Sequence, residues 1–270
     1  MTSENSGSDG DKFKKVSRTS SKLNATAFDD SLRERRCIIR KSRMFQTLQR
    51  QLEPFVGNVR QIRCLAIGSF FEEFAALYQL ALLLELTEHF NAESEKPLEV
   101  SIYDPVFTKA DKEFISKQGP EWSIDEKLED DTTKTEDVLF FLPHAPLDLT
   151  EDILTLEKPK LMLANHVAKH VDRYTKSQLF KKYPKLAKLN HLLGPTESDV
   201  LVPSSDFQTF VSRRARRKRK NIPSQDPADY SAVETYFGQI SILTDFDGGT
   251  ILANEPWLNS FSDLALHRIL

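Results

Sequence analysis

Cysteine is nearly absent: there are two in 270 residues, Cys37 and Cys64, in separate segments. That argues against a disulfide scaffold and fits a reducing compartment. No sign of charge dominates, with 37 Lys and Arg against 40 Asp and Glu and a formal net charge of −3. Such a balance gives no general affinity for nucleic acid or a membrane surface. Long apolar runs are missing too. The best stretch, Ala75 to Leu86, is interrupted by Gln79 and Glu85 and is too short to span a bilayer. The opening residues, Met1 to Asp11, are polar and Ser-rich, unlike a secretory signal. These absences predict a protein of the cytoplasm, with access to the nucleus and no membrane partner.

Glycine is scarce where phosphate-binding folds need it. The first strand-to-helix turn holds Gly68 alone, not Gly-x-Gly-x-x-Gly, so a pyrophosphate grip is poorly supported. No Gly-x-Ser-x-Gly elbow occurs, and Cys64 falls within a predicted buried strand, which disfavours nucleophilic catalysis. His166 and His170 have the i, i+4 spacing of a zinc pair. They lack a neighbouring Glu and Cys co-ligands, so no metal site is expected.

What is present is a βαβ rhythm. Arg63 to Phe70 runs from an apolar strand into a Gly-Ser turn, and a long apolar helix follows. Ser69 and Glu72 are spaced as a capping box that would start that helix. A second apolar run, Leu98 to Tyr103, closes on Asp104-Pro105, and Thr108 with Asp111 caps a short helix beyond it. Val138 to Leu142, apolar throughout as a strand covered on both faces should be, reads as a third strand, and Lys160 to Ala164 as a fourth. A short helix lies between them, from about Leu149 to Leu156. Residues 175–193 are helical in pattern with a break at Tyr183-Pro184. Asp199 to Val202 offers another strand. Structure resumes at Phe237 to Leu243, and the periodicity of Phe261 to Ile269 fits strand and helix equally.

The expected fold is therefore α/β, a Rossmann-like, mostly parallel sheet flanked by helices. Residues 1–27 have the composition of a disordered tail. Residues 28–56 form a basic helical segment whose Arg33, Arg35, Arg36, Arg40, Lys41 and Arg43 suggest a solvated face on a helix at the domain edge. Residues 57–270 form the main domain, with the acidic stretch Asp125 to Asp137 as a solvated loop and a flexible insertion at 203–230. Within that insertion lies the basic run Arg213, Arg214, Arg216, Arg217, Lys218, Arg219 and Lys220. It suits an import signal, an acidic protein surface or a charged loop with no partner. No aromatic interleaves it, so stacking on nucleic-acid bases is unsupported.

Gly68, Ser69, Asp104, His144 and Asn165 all fall at carboxyl ends of predicted strands. In a parallel sheet these ends share one edge and line one crevice. Gly68 permits close backbone approach, Ser69 brings a hydroxyl to a helix start, and Asp104 suits a ribose diol. His144 offers an acid, a base or a donor, and Asn165 a donor and an acceptor. Each also has a plain structural alternative: a tight turn for Gly68, a cap for Ser69 and a local turn for Asp104. His144 serves equally as a loop histidine between prolines, and Asn165 as a turn residue.

Cys64 to Ser69, Gln79-Leu80-Ala81, Val100 to Phe107, Leu139 to His144 and Leu163-Ala164-Asn165 resemble the sensitivity-to-red-light-reduced (SRR-like) family. Phe261 to Leu266 looks like that family's terminal motif, which favours a strand there. Ala145 and Ala164 depart from the family's usual residues at their positions. The overall look is closest to a fungal branch associated with benomyl resistance. The resemblance implies a Rossmann-like fold and a regulatory protein, acting through protein partners in microtubule-related or signalling processes. Roles in circadian regulation and haem metabolism belong to other members. Under the alternative reading, the chain is a nucleotide- or S-adenosylmethionine-dependent transferase with His144 and Asn165 facing the substrate. The candidate cofactors are S-adenosylmethionine, a nucleotide or haem. The regulatory reading is preferred to the enzymatic one.

Overall fold

A computed structural model describes residues 25–92, 94, 96–125, 135–194 and 228–270. The tail before residue 25, most of the acidic stretch, the strand expected at 199–202 and the basic run at 213–220 lie outside the described residues.

Seven strands form one sheet in the order β3-β2-β1-β4-β5-β7-β6. Five of them form successive parallel pairs: β1 (Gln61–Leu65), β2 (Glu99–Tyr103), β3 (Trp122–Ile124), β4 (Val138–Leu142) and β5 (Leu161–Asn165). β7 (Leu264–Ile269) lies antiparallel to β5, and β6 (Ile240–Thr244) antiparallel to β7, so β6 runs in the same direction as the parallel-paired five. This is the expected α/β architecture. The closing segment, ambiguous by periodicity, is a strand because it is paired on both sides. β3 has no counterpart in the sequence reading: it is three residues long and its apolar side chains are only half-buried.

The inner parallel strands are covered on both faces, which explains why β4 is apolar at every position. Ile62, Cys64 and Leu139 face one core; Leu65, Phe140 and Met162 face the other. The first core is closed by α1 (Ala25–Lys41), α2 (Arg43–Leu52) and α3 (Phe74–Asn91), with Ile115 of α4 (Lys109–Ser116) at its margin. The second is closed by α5 (Leu147–Leu156), α6 (Val167–Val171), α7 (Lys176–Lys182) and α8 (Pro184–Leu193). The break between α7 and α8 falls at Tyr183-Pro184, as the sequence predicts. Glu151 of α5 accepts the Lys185 and Leu186 N–H groups, both at 2.9 Å, and so caps α8 from another helix.

Two buried charge clusters correct the sequence reading. The N-terminal basic segment does more than expose a solvated face. It breaks at Ser42, whose hydroxyl accepts the Phe45 N–H and starts α2. Phe28, Leu32 and Ile39 of α1 enter the core, while Arg36 and Arg40 bond the buried Glu85 of α3 at 2.7 and 2.6 Å. α3 is apolar nearly all round and buried accordingly, so its one inward carboxylate needs these cations. The second cluster surrounds Arg63 in the middle of β1. Its guanidinium bonds both oxygens of Glu157 at 3.0 and 3.1 Å and the Ser101 hydroxyl at 3.2 Å. It also pairs with Asp125, which the sequence reading placed in a solvated loop.

Candidate functional site

After β1 the chain turns through Ala66 and Gly68, with φ of 58° and 78°. Gly68 is required twice over. Positive φ strains any larger residue, and a Cβ there would lie 3.3 Å from the Ala76 Cβ and 3.4 Å from the Glu73 carboxylate.

The long helix does not start at Ser69. Its N-cap is Glu73, whose side chain makes no capping bond. Ser69 to Glu73 instead form a separate turn, in which the Glu72 and Glu73 N–H groups donate to the Ser69 carbonyl at 3.2 and 2.8 Å. The reason is aromatic packing. Phe70 is buried among Phe28, Phe71, Phe107 and Phe114, which draws the turn onto α4 before the chain can coil. The buried Ser69 hydroxyl then donates to Asp111 Oδ2 at 2.8 Å. Asp111, fully buried, also accepts the Thr108 N–H and hydroxyl at 2.7 Å and the Phe71 N–H at 3.2 Å. The Thr108–Asp111 capping box is present as predicted, and its carboxylate doubles as the anchor of the loop after β1.

Asp104 ends β2. Its Oδ2 accepts the Gly68 N–H at 2.7 Å, and its Oδ1 accepts the Val106 N–H at 3.0 Å. It therefore caps its own turn and also ties the ends of β1 and β2 together. Beyond Gly68 stands the exposed Glu73. Among the described residues, no Lys, Arg or His forms an ion pair with either carboxylate.

The other two candidates lie across the sheet. His144 is exposed just past β4. Asn165 ends β5; its Nδ2 donates to Asp263 Oδ1 at 2.8 Å, and its Oδ1 is buried with no donor. The carbonyl of Asp263 accepts the His166 N–H at 2.7 Å, holding the start of β7 to the end of β5. His170, one turn into α6, has its pKa pushed down, chiefly by burial; Asp263 opposes this, while Arg173 and His144 add to it. Burial also lowers the pKa of His166. His267, fully buried beneath His166 on β7, is pushed down to about 4, first by burial and then by His166. Its Nδ1 lies 3.3 Å from the Met162 carbonyl, and its Nε2 accepts the Val167 N–H at 3.4 Å, an arrangement that suits the neutral ring.

The five predicted residues thus fall into two groups on one edge. Gly68 and Asp104 are hydrogen-bonded beside β1 and β2, and Ser69 is turned inward to α4. His144 and Asn165 stand beside β4 and β5. Glu73, Asp111, Asp263 and His170 were not among the predicted site residues. Asp263 had a signal in the terminal motif. Glu73 had none, because the Ser69–Glu72 spacing suggested a different helix start. Among the described residues, no group of three or more His, Cys, Asp or Glu side chains is arranged to hold a metal ion. Burial, reinforced by Asp104, pushes the Cys64 thiol well above its ordinary range, so it stays protonated at neutral pH. No helix is long and apolar enough to cross a membrane among the described residues.

The family model of the SRR1 domain matches residues 46–268. An SRR1-like protein of Drosophila melanogaster is 27% identical over 194 residues, covering 64% of this chain and 68% of that protein. No solved structure matches. The matched span takes in the sheet and both groups of site residues, in keeping with the motifs read from the strand ends: the chain belongs to the SRR1 domain family.

Proposed function

We propose that the chain binds a nucleoside-type cofactor, S-adenosylmethionine or a nucleotide, at the carboxyl edge of the sheet and uses it in group transfer. The observation that carries this reading is the strand order. From β1 the chain steps outward to β2 and β3, then returns to β4 on the other side of β1. The crevice at such a reversal is where open α/β sheets bind ligands. An antiparallel seventh strand between the fifth and sixth is also the arrangement of S-adenosylmethionine-dependent methyltransferases, an analogy at the level of fold.

Asp104 fits the ribose. Each of its oxygens accepts one backbone N–H and keeps a lone pair for a hydroxyl. Gly68, without a side chain, lets the Glu73 carboxylate approach beside it. When bound, such a cofactor supplies an electrophilic group. His144, exposed on the β4 side, takes the proton that the acceptor gives up, and the unpaired Asn165 Oδ1 receives a donor that orients it.

A second reading rests on the likeness to the fungal benomyl-resistance branch. It makes the chain a regulatory protein of the cytoplasm and nucleus, acting through protein partners in microtubule-related or signalling processes. The basic run Arg213 to Lys220 is its candidate contact surface.

A thermal-shift panel tests the cofactor reading, using S-adenosylmethionine, its demethylated product, nicotinamide and adenine nucleotides, and haem. A ligand at about a hundred times its Kd adds roughly 2.7 kcal/mol, enough to raise the midpoint by several degrees. The expected result is such a shift with at least one nucleoside ligand. A flat response across the panel overturns the cofactor reading and leaves the regulatory one.

A further inference from the structure

We infer that Glu73 and Asp104 make this crevice select a cationic, ribose-bearing ligand, a sulfonium nucleoside of the S-adenosylmethionine kind, and reject phosphorylated nucleotides. The inference rests on the cofactor reading above and names its ligand class.

A phosphate at the first strand-to-helix turn is ordinarily held by free backbone N–H groups and a helix N-terminus clear of negative charge. Here four of the turn's donors are already bonded. The Gly68 N–H goes to Asp104 and the Phe71 N–H to Asp111, while the Glu72 and Glu73 N–H groups both go to the Ser69 carbonyl. The start of α3 also carries a carboxylate of its own. Glu73 is the N-cap residue, and its carboxylate lies over Gly68 on the side where a Cβ would project. Asp104 lies against the amide of the same glycine at 2.7 Å. With no cation paired to either carboxylate among the described residues, a phosphate placed here meets two negative charges at a turn whose N–H groups at Gly68, Phe71, Glu72 and Glu73 are already bonded. A sulfonium or ammonium group at the same place is attracted by both. Val106, whose N–H bonds Asp104, is 53% exposed and offers apolar surface to a base ring. The same repulsion acts on the propionates of haem.

The test is equilibrium binding of S-adenosylmethionine, adenosine, ATP and NAD to the full chain and to its Glu73→Gln and Glu73→Lys variants. Glu73 is exposed and makes no capping bond, so unchanged thermal midpoints are expected in both variants. In the wild type, S-adenosylmethionine binds at least about tenfold tighter than ATP or NAD. Glu73→Lys cuts that ratio by about tenfold or more and leaves uncharged adenosine unaffected; Glu73→Gln falls between. Equal or tighter binding of ATP or NAD in the wild type, or a ratio that Glu73→Lys does not move, overturns the selection and leaves the crevice standing as a cofactor site. Binding of none of the four overturns both.

Discussion

Acidification from pH 6.5 toward 4 removes on the order of 3 kcal/mol of stability through His267 alone. In the unfolded chain this imidazole takes a proton near 6.5; in the folded protein burial and the neighbouring His166 hold protonation off until about 4. Between those values the unfolded state binds the extra proton, so acid favours unfolding. Above 6.5 the contribution is complete, and below about 4 it is gone. His166, whose pKa is also lowered, acts in the same direction. The geometry explains the penalty, because a proton on Nε2 would meet the Val167 N–H that this nitrogen now accepts. Denaturant unfolding of the wild type and of His267→Gln, followed from pH 7 to 4.5, measures the effect. Gln can donate to the Met162 carbonyl and accept from Val167, so the variant folds with a much shallower pH slope. Equal slopes in the two proteins would remove His267 from the account.

The second large effect is expected at Arg63. This guanidinium, 4% exposed, neutralises Glu157 and Asp125 inside the layer between β1 and α5. Breaking a buried pair by removing one partner strands the other charge, which costs about 3–5 kcal/mol. Arg63→Met is therefore expected to lower the thermal midpoint by roughly 10 °C in a chain of this size. The double variant Arg63→Met/Glu157→Leu is expected to recover most of that loss, since apolar replacement of both partners is often neutral. Asp125 is nearer solvent, with 18% of its side chain exposed, and turns outward without the arginine. A midpoint unchanged in the single variant, or a double variant no better than the single, would contradict this ledger of charges.

Much of the architecture was legible in the residues. Val138 to Leu142 is apolar at every position because β4 is covered on both faces, and the βαβ spacing from Arg63 to Tyr103 placed β1, α3 and β2 correctly in order. Thr108 and Asp111 announced α4 because a capping box is local. The start of α3 was not legible. Ser69-x-x-Glu72 has the right spacing for a cap, but the burial of Phe70 in an aromatic cluster drawn from α1 and α4 outweighs it. That contact is long-range, and no local pattern carries it. The same limit hid the roles of Arg36, Arg40 and Arg63, whose partners lie dozens of residues away. At the candidate site, shared placement at strand ends singled out Gly68, Asp104, His144 and Asn165 as candidates. No local pattern indicates that the Ser69 hydroxyl turns inward or that Glu73 stands over Gly68, because both depend on where the intervening turn packs.

The most direct test of the crevice is a calorimetric titration of S-adenosylmethionine into the wild type and into Asp104→Asn. The asparagine oxygen keeps the acceptor for the Gly68 N–H and loses the charge; the bond to the exposed Val106 N–H passes to water, so circular dichroism should show the fold retained. Saturable one-site binding to the wild type is expected, weakened by at least about tenfold in Asp104→Asn. No binding to the wild type, or equal affinity for both proteins, would contradict it.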